Sequence, residues 1–272
     1  MTAPVVAVKG LVKHFELSAG FLGLGKEQVV AVDGVSFELA PGEILGLVGE
    51  SGCGKSTLGR MLVRLIEPTS GEIRIDGEAV RARTRAERLA YRRRVQMIFQ
   101  DPYSSLNPRM TVGRIVAEPL VIHGLARRAA VRDRVAELFA AVGLRPDQMG
   151  NYPHEFSGGQ RQRLGIARAL AVGPSVIVAD EPVSALDVSI QAQILNLVRD
   201  LQEKLGVAFL FISHDIAVVA QVSQRVAVMY QGRIVETGRT IDVLRDPQDA
   251  YTATLLASVP MGKRRHHPPP QA

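Results

Sequence analysis

Short apolar runs bounded by glycine, proline and aspartate set the pattern of this chain. Ile44–Val48, Val176–Ala179 and Ala208–Ile212 are continuous apolar segments of strand length, as expected for strands covered on both faces of a sheet. Val5–Val8 and Val35–Leu39 also read as strands, the second with the alternation of a half-buried one. Ile73–Ile75 followed by Asp76-Gly77, and Val226–Tyr230 followed by Gln231-Gly232 and 233–236, read as hairpins. Helical spacing predicts a helix from Lys55, another over Val131–Val142 and a third over Val188–Leu205. The second carries Val131, Val135, Leu138, Phe139 and Val142 on one face, and Gly143 stops it. The third places residues 190, 194, 197, 198, 201 and 205 on one face, with Asp187 as its cap and Gly206 as its stop.

Strands alternating with helices imply an α/β core. Between about 102 and 151 the character changes: Pro102, Pro108 and Pro119 open a mainly helical insertion between two parts of that core. The segment from Gly262, with Lys263-Arg264-Arg265-His266-His267 and three prolines, is low in complexity and expected to be disordered.

Hydrophobic residues make up 46% of the 272 positions, enough for a sizeable core. No apolar run approaches the roughly 20 residues of a membrane span, and no secretory signal is expected at the N-terminus. Cys53 is the single cysteine, so a disulfide within the chain and a cysteine metal site are not expected; this fits a reducing cytoplasm. The net charge of +6 has one source: Arg81–Arg94 holds seven arginines and a single acid, Glu87. Such a run can meet nucleic acid or an anionic membrane surface, or be a solvated helix face. Tyr91 is its one aromatic residue, which does not suit base stacking, and no specific nucleic acid is expected as a partner.

The chemistry begins at Gly49-Glu50-Ser51-Gly52-Cys53-Gly54-Lys55-Ser56, with Thr57 following, a G-x-x-x-x-G-K-[ST] phosphate loop between a strand and a helix. Glycines let backbone N–H groups close around phosphate oxygens, and the helix that follows aims its positive end at the same anion. Lys55 has the reach for the β- and γ-phosphates, and the Ser56 hydroxyl can ligate Mg²⁺. Asp180, after four apolar residues, is placed to hold Mg²⁺, and Glu181 to accept a proton from an attacking water.

Ser157-Gly158-Gly159-Gln160, lying between the phosphate loop and Asp180 and followed by a helix, resembles the signature motif of ABC ATPases, with Phe156 where leucine is usual. The other motifs of that family follow in order. Gln100 resembles the Q-loop glutamine, Ser184-Ala185-Leu186-Asp187 the D-loop, and His214 the switch histidine; Phe15 takes the place of the aromatic that stacks on adenine. The resemblance implies a P-loop NTPase (RecA-like) core, about 1–101 and 160–240, with an N-terminal antiparallel β subdomain. It implies also a helical subdomain about 102–159, a C-terminal segment 241–260 and a tail 261–272. ATP and Mg²⁺ are the implied cofactors. Two such domains would meet head to tail, the phosphate loop of one and the Ser157–Gln160 segment and Asp187 of the other enclosing each ATP. Glu181 would polarise the water, His214 contact the γ-phosphate, and Gln100 touch Mg²⁺ while linking to the helical insertion. Of the other histidines, His14, His123 and His154 are expected to be ordinary surface or partly buried residues.

Phe99–Arg109, with Lys13-His14-Phe15, Ala250-Tyr251-Thr252 and Leu255-Leu256, is similar to peptide and nickel importer ATPases, most of all the second ATPase of oligopeptide and dipeptide importers. One departure is the lack of a cysteine after Val259-Pro260. That likeness implies a peripheral subunit on the cytoplasmic face of the cell membrane, partnered by a second ATPase, by transmembrane permeases and indirectly by a solute-binding protein. Nickel is the alternative cargo. A chromosome-organising ATPase would need a long coiled coil, for which Ser56 to Ser157 is too short and too broken by proline; a regulatory nucleotide-binding module is the other alternative.

Overall fold

The computed structural model describes residues 3–19, 25–80, 84–101, 103–125 and 128–258. The expectation of a disordered tail therefore falls outside the described residues. The chain opens with β1 (Val6–Ala19) and β2 (Gly25–Leu39), then β3 (Ile44–Val48), α1 (Lys55–Leu62) and the hairpin β4 (Ser70–Ile75) and β5 (Glu78–Ala79). Next come α2 (Arg85–Arg94), β6 (Val95–Ile98), α3 (Val112–Ile122), α4 (Arg128–Ala141), two 3-10 turns and α5 (Gly158–Leu170). The remainder is β7 (Val176–Asp180), α6 (Val188–Leu205), β8 (Ala208–Ser213), α7 (Ile216–Val222), β9 (Arg225–Tyr230), β10 (Arg233–Arg239), α8 (Thr240–Arg245) and α9 (Ala250–Ala257).

Two sheets result. A four-stranded antiparallel sheet has the order β2-β1-β4-β5, and a six-stranded sheet the order β10-β9-β3-β8-β7-β6. In the second, β9, β3, β8, β7 and β6 run parallel and β10 returns antiparallel. Alternation along the strands divides the core. Leu45 and Leu47 of β3 face α1 and the smaller sheet, while Ile44 and Val48 join the cluster built with α5, α6 and α7. The central strands are thus buried on both faces, which is why their sequences are apolar without a break. Their C-terminal ends share one edge, and the loops there carry the chemistry.

Two differences from the sequence reading have local causes. β1 and β2 are far longer than Val5–Val8 and Val35–Leu39, and the stretch from Ser18 to Gln28 is strand up to Ala19 and again from Gly25. Their pairing shifts register between Val8 and Leu11 and again on either side of Lys13, so the alternation of each strand breaks although pairing continues. The other is α3, absent from the sequence reading. Pro119 lies inside it, and a proline there removes a helical hydrogen bond, yet Ile115, Val116 and Leu120 are buried against the larger core cluster. Helix α6 runs between the expected ends: the Asp187 carboxylate accepts from Ile190 N–H and Gly206 closes it at φ 65°. On its inner face Ile194, Leu197, Val198 and Leu201 are buried as expected and Leu195 in addition, whereas Ile190 is half-buried and Leu205, in the last turn, is exposed.

Of the basic run, Arg85–Arg94 forms α2, capped by Thr84 and Glu87, with Arg85, Arg88, Arg92 and Arg93 on the surface. Arg94 pairs with Glu78 at 2.9 Å and Asp76 at 3.8 Å, so acids of the neighbouring hairpin offset part of the charge. Tyr91 points inward and its hydroxyl donates to the Leu62 carbonyl. No described helix is long and apolar enough to cross a membrane.

Candidate functional site

The loop from Gly49 to Lys55 leaves the end of β3 and turns into α1. Two of its glycines are required by close backbone approach. A Cβ on Gly49 would come 2.1 Å from the Met229 carbonyl oxygen, and one on Gly54, at φ 108°, 2.1 Å from that of Ala31. The loop is therefore packed between β9 and β2 as well as shaped for an anion. The Lys55 ammonium is buried and donates to the carbonyls of Gly49 (2.7 Å) and Glu50 (2.8 Å), with the Cys53 sulfur 3.6 Å away.

Strand β8 separates β3 from β7 in the sheet. Helix α1 crosses this gap, so that Ser56 Oγ donates to Asp180 Oδ1 at 2.8 Å. Asp180 ends β7 with 2% exposure, and burial pushes its carboxyl pKa up, opposed by the Ser56 hydrogen bond. A buried carboxylate beside a hydroxyl, with the Gln100 amide nearby on the same cavity, is an all-oxygen donor set suited to a hard cation such as Mg²⁺.

Glu181, the next residue, takes φ 46°, a left-handed conformation uncommon for a residue with a side chain and found where surroundings enforce it. Its N–H donates to the Ile212 carbonyl (3.0 Å) and its own carbonyl accepts from Ser184 Oγ (3.1 Å). So held, its carboxylate turns into the cavity. Oε2 accepts from Gln100 Nε2 at 3.2 Å, and His214 Nδ1 lies 3.2 Å from the same oxygen. Gln100 follows β6 and His214 follows β8, so four parallel strands deliver these groups to one edge.

A cavity of about 450 Å³ opens between them, lined by Ala31, Ser51, Gly52, Gly54, Lys55, Ser56, Thr57, Gln100, Glu181 and His214. Of the residues singled out from sequence, Gly49 and Cys53 form the base of the loop, Cys53 being 8% exposed within the core cluster beneath it. Phe15, Ser157, Gly158, Gly159, Gln160 and Asp187 do not line the cavity, and Asp180 reaches it only through Ser56. Phe15 is half-buried on β1 opposite Val29, with the Lys13 ammonium 5.1 Å from its ring centre. Ser157 caps α5 reciprocally with Gln160: Gln160 N–H donates to Ser157 Oγ and Ser157 N–H to Gln160 Oε1. Ser157 and Gly158 are exposed, while a Cβ on Gly159 would come 2.4 Å from Ile190, which packs the start of α5 against α6. The hydrogen bond from Ile190 N–H holds the Asp187 carboxyl below the usual carboxylate range. The sequence reading missed Ala31, because β2 could not be followed back past Val35, and gave no site role to Tyr251, whose hydroxyl accepts from Glu50 N–H at 3.0 Å.

A phosphate loop, a buried hydroxyl–carboxylate pair and an aligned glutamate at the C-terminal edge of a parallel sheet define a P-loop nucleotide-binding cassette. The family model described as ABC transporter matches residues 32–184, and the chain belongs to that family. It is 55% identical over 258 residues to the glutathione import ATP-binding protein GsiA of Pectobacterium atrosepticum, an alignment covering 95% of this chain and 41% of the relative. The protein of the same name from Salmonella typhimurium is 54% identical over 266 residues, covering 98% and 43%. The chain thus spans about two fifths of the length of these curated relatives. Among solved structures, the ATP-binding cassette MJ0796, a dimer in a post-hydrolysis state bound to ADP and Pi, superposes with a TM-score of 0.76 at 30% identity, covering 86% of this chain and 98% of that one. CbiO1 of Clostridium perfringens, part of the ABC transporter complex cbiONQ, gives 0.76 at 26% identity, covering 89% and 91%.

Cys53 reports on the loop. Mg-ATP held against the loop slows its reaction with a maleimide relative to the nucleotide-free protein; equal labelling rates with and without saturating ATP would contradict a nucleotide at this loop.

Proposed function

We propose that the chain binds and hydrolyses ATP to drive uptake of short peptides, as the peripheral motor on the cytoplasmic face of a membrane importer. The observation that carries the chemical half is the convergence of Lys55, Ser56, Glu181, Gln100 and His214 on one cavity, with Asp180 buried behind Ser56 and bonded to it. Backbone N–H groups of the loop and the Lys55 ammonium hold the phosphates. Ser56, Asp180 and Gln100 would hold Mg²⁺, which when bound neutralises charge on the phosphate oxygens. Glu181, oriented by Gln100 and His214, takes a proton from water as its oxygen attacks the γ-phosphorus. The bond from that phosphorus to the bridging oxygen breaks, and ADP leaves with the electron pair.

Phe15 stacks on adenine. Ser157, Gly158, Gly159, Gln160 and Asp187 act on the nucleotide of a second cassette, a reading supported by the exposed start of α5 and by the dimeric cassette of similar fold. Names of the relatives support a peptide of glutathione's size as cargo. Deletion of the gene removes growth on such a peptide as sole source of a required amino acid. Normal peptide uptake, with loss of a nickel-dependent activity that excess nickel restores, would instead assign a metal cargo.

We assign coupling to permeases to the surface around a groove of about 590 Å³ lined by Phe99, Ser104, Ser105, Glu118, Pro119 and Arg168 among others. Arg168 ties the Ser105 carbonyl to α5, and Gln100, which touches Glu181, lies five residues earlier. A shift at the catalytic carboxylate therefore reaches this surface through a short stretch of chain. Ser105→Glu, assayed in membranes with the permeases, abolishes uptake while the ATPase rate of the isolated chain stays within about twofold; parallel loss of both would remove the coupling role.

A further inference from the structure

The phosphate loop is held from behind by the C-terminal part of the chain. Gly232 N–H, in the turn between β9 and β10, donates to the Cys53 carbonyl at 3.0 Å. The Met229 carbonyl closes on Gly49. The third contact comes from further away: Glu50 N–H donates to the Tyr251 hydroxyl at 3.0 Å, across 201 positions of sequence.

Tyr251 is itself fixed. Its ring lies 4.2 Å from that of Tyr230, tilted by 32°, at the end of β9. It opens α9, whose cap Asp249 accepts from the N–H groups of Tyr251 and Thr252. The Glu236 carboxylate on β10 accepts from Gln248 N–H (2.9 Å) and Asp249 N–H (3.2 Å), and so anchors the cap. Beneath it Thr252 is fully buried, and Leu255 and Leu256 pack on the larger core cluster. Burial raises the Tyr251 pKa, so the hydroxyl stays protonated and neutral across the working range of pH.

We infer that Tyr251 is a positioning residue for the nucleotide: through its hydroxyl, α9 sets the backbone of the phosphate loop at Glu50 and thereby the affinity for ATP. The inference rests on the nucleotide reading of the cavity. Physically, a glycine-rich loop has many conformations to lose on closing around phosphates, and a contact that removes them beforehand strengthens binding. Tyr251 does not line the cavity and touches neither Glu181 nor His214, so its effect belongs to binding and not to the chemical step.

The test uses the full chain with Mg-ATP. In Tyr251→Phe the ring and its packing on Tyr230 remain and the acceptor is lost. Dissociation constant and KM for Mg-ATP rise about three- to tenfold, the worth of one backbone hydrogen bond, while kcat stays within about twofold. Alkylation of Cys53 in the nucleotide-free protein becomes faster by a similar factor. Leu255→Ala, which keeps the hydroxyl but loosens α9, shifts affinity and labelling in the same direction. Unchanged affinity and labelling in Tyr251→Phe would overturn the inference. So would a loss of affinity matched by equal losses of kcat and of nucleotide-free melting temperature, which is general destabilisation. Failure of the parent chain to bind Mg-ATP would instead remove the nucleotide reading, and this inference with it.

Discussion

Replacing Glu181 by glutamine slows ATP hydrolysis by at least about 100-fold while ATP still binds, since a positioned general base contributes about 10²–10⁴. The amide has the size of the carboxylate, so Gln100 and His214, both 3.2 Å from its oxygen, keep a neighbour of the same shape. What disappears is the ability to take a proton from water. With the phosphate loop, Ser56 and Asp180 untouched, ATP occupies the site without turning over, and paired cassettes accumulate. The checks are steady-state phosphate release and the elution volume of the protein with and without ATP. Turnover within about fivefold of the parent would show that Glu181 is not the base.

Lys55→Ala acts earlier, on binding. Its ammonium now donates to two carbonyls of its own loop, at 2.7 and 2.8 Å, and is almost fully buried. Phosphate oxygens replace these partners with stronger ones, because hydrogen bonds to a charged group contribute about 1.5–3 kcal/mol each. Two such bonds correspond to a loss of affinity of at least about 100-fold and up to about 10⁴-fold, read by titration with a fluorescent nucleotide. The melting temperature of the nucleotide-free variant separates this from a collapsed loop. An affinity within about threefold of the parent would make Lys55 a strut for the loop and not a phosphate ligand.

Legibility of the sequence depended on how local the signal was. Strand β3 throughout, and β7 and β8 up to their last residues, lack polar side chains because both their faces are covered, and Gly206 marks the end of α6 unmistakably. The phosphate loop announces itself because glycine spacing and the lysine are adjacent in sequence. That Asp180 would meet Ser56 follows from the sheet order, with β8 between their strands, which no local pattern encodes. The register shifts of β1 and β2 hid most of both strands, and Ala31 with them. Pro119 hid α3, whose stability comes from Ile115, Val116 and Leu120 packing elsewhere in the chain. Tyr251 was visible as part of an Ala-Tyr-Thr stretch, but its partner lies 201 positions away, and only folding brings the two together.

The exposed start of α5 has a kinetic consequence. Ser157 and Gly158 stand on the surface, away from the cavity that holds this chain's own Lys55 and Glu181. If each complete site borrows that helix start from a neighbour, one chain in isolation is half an enzyme, and the order of the reaction in protein is two at high dilution. Rate per chain then climbs with concentration until pairing saturates, so the curve of specific activity against dilution is a direct measure of how tightly two cassettes associate.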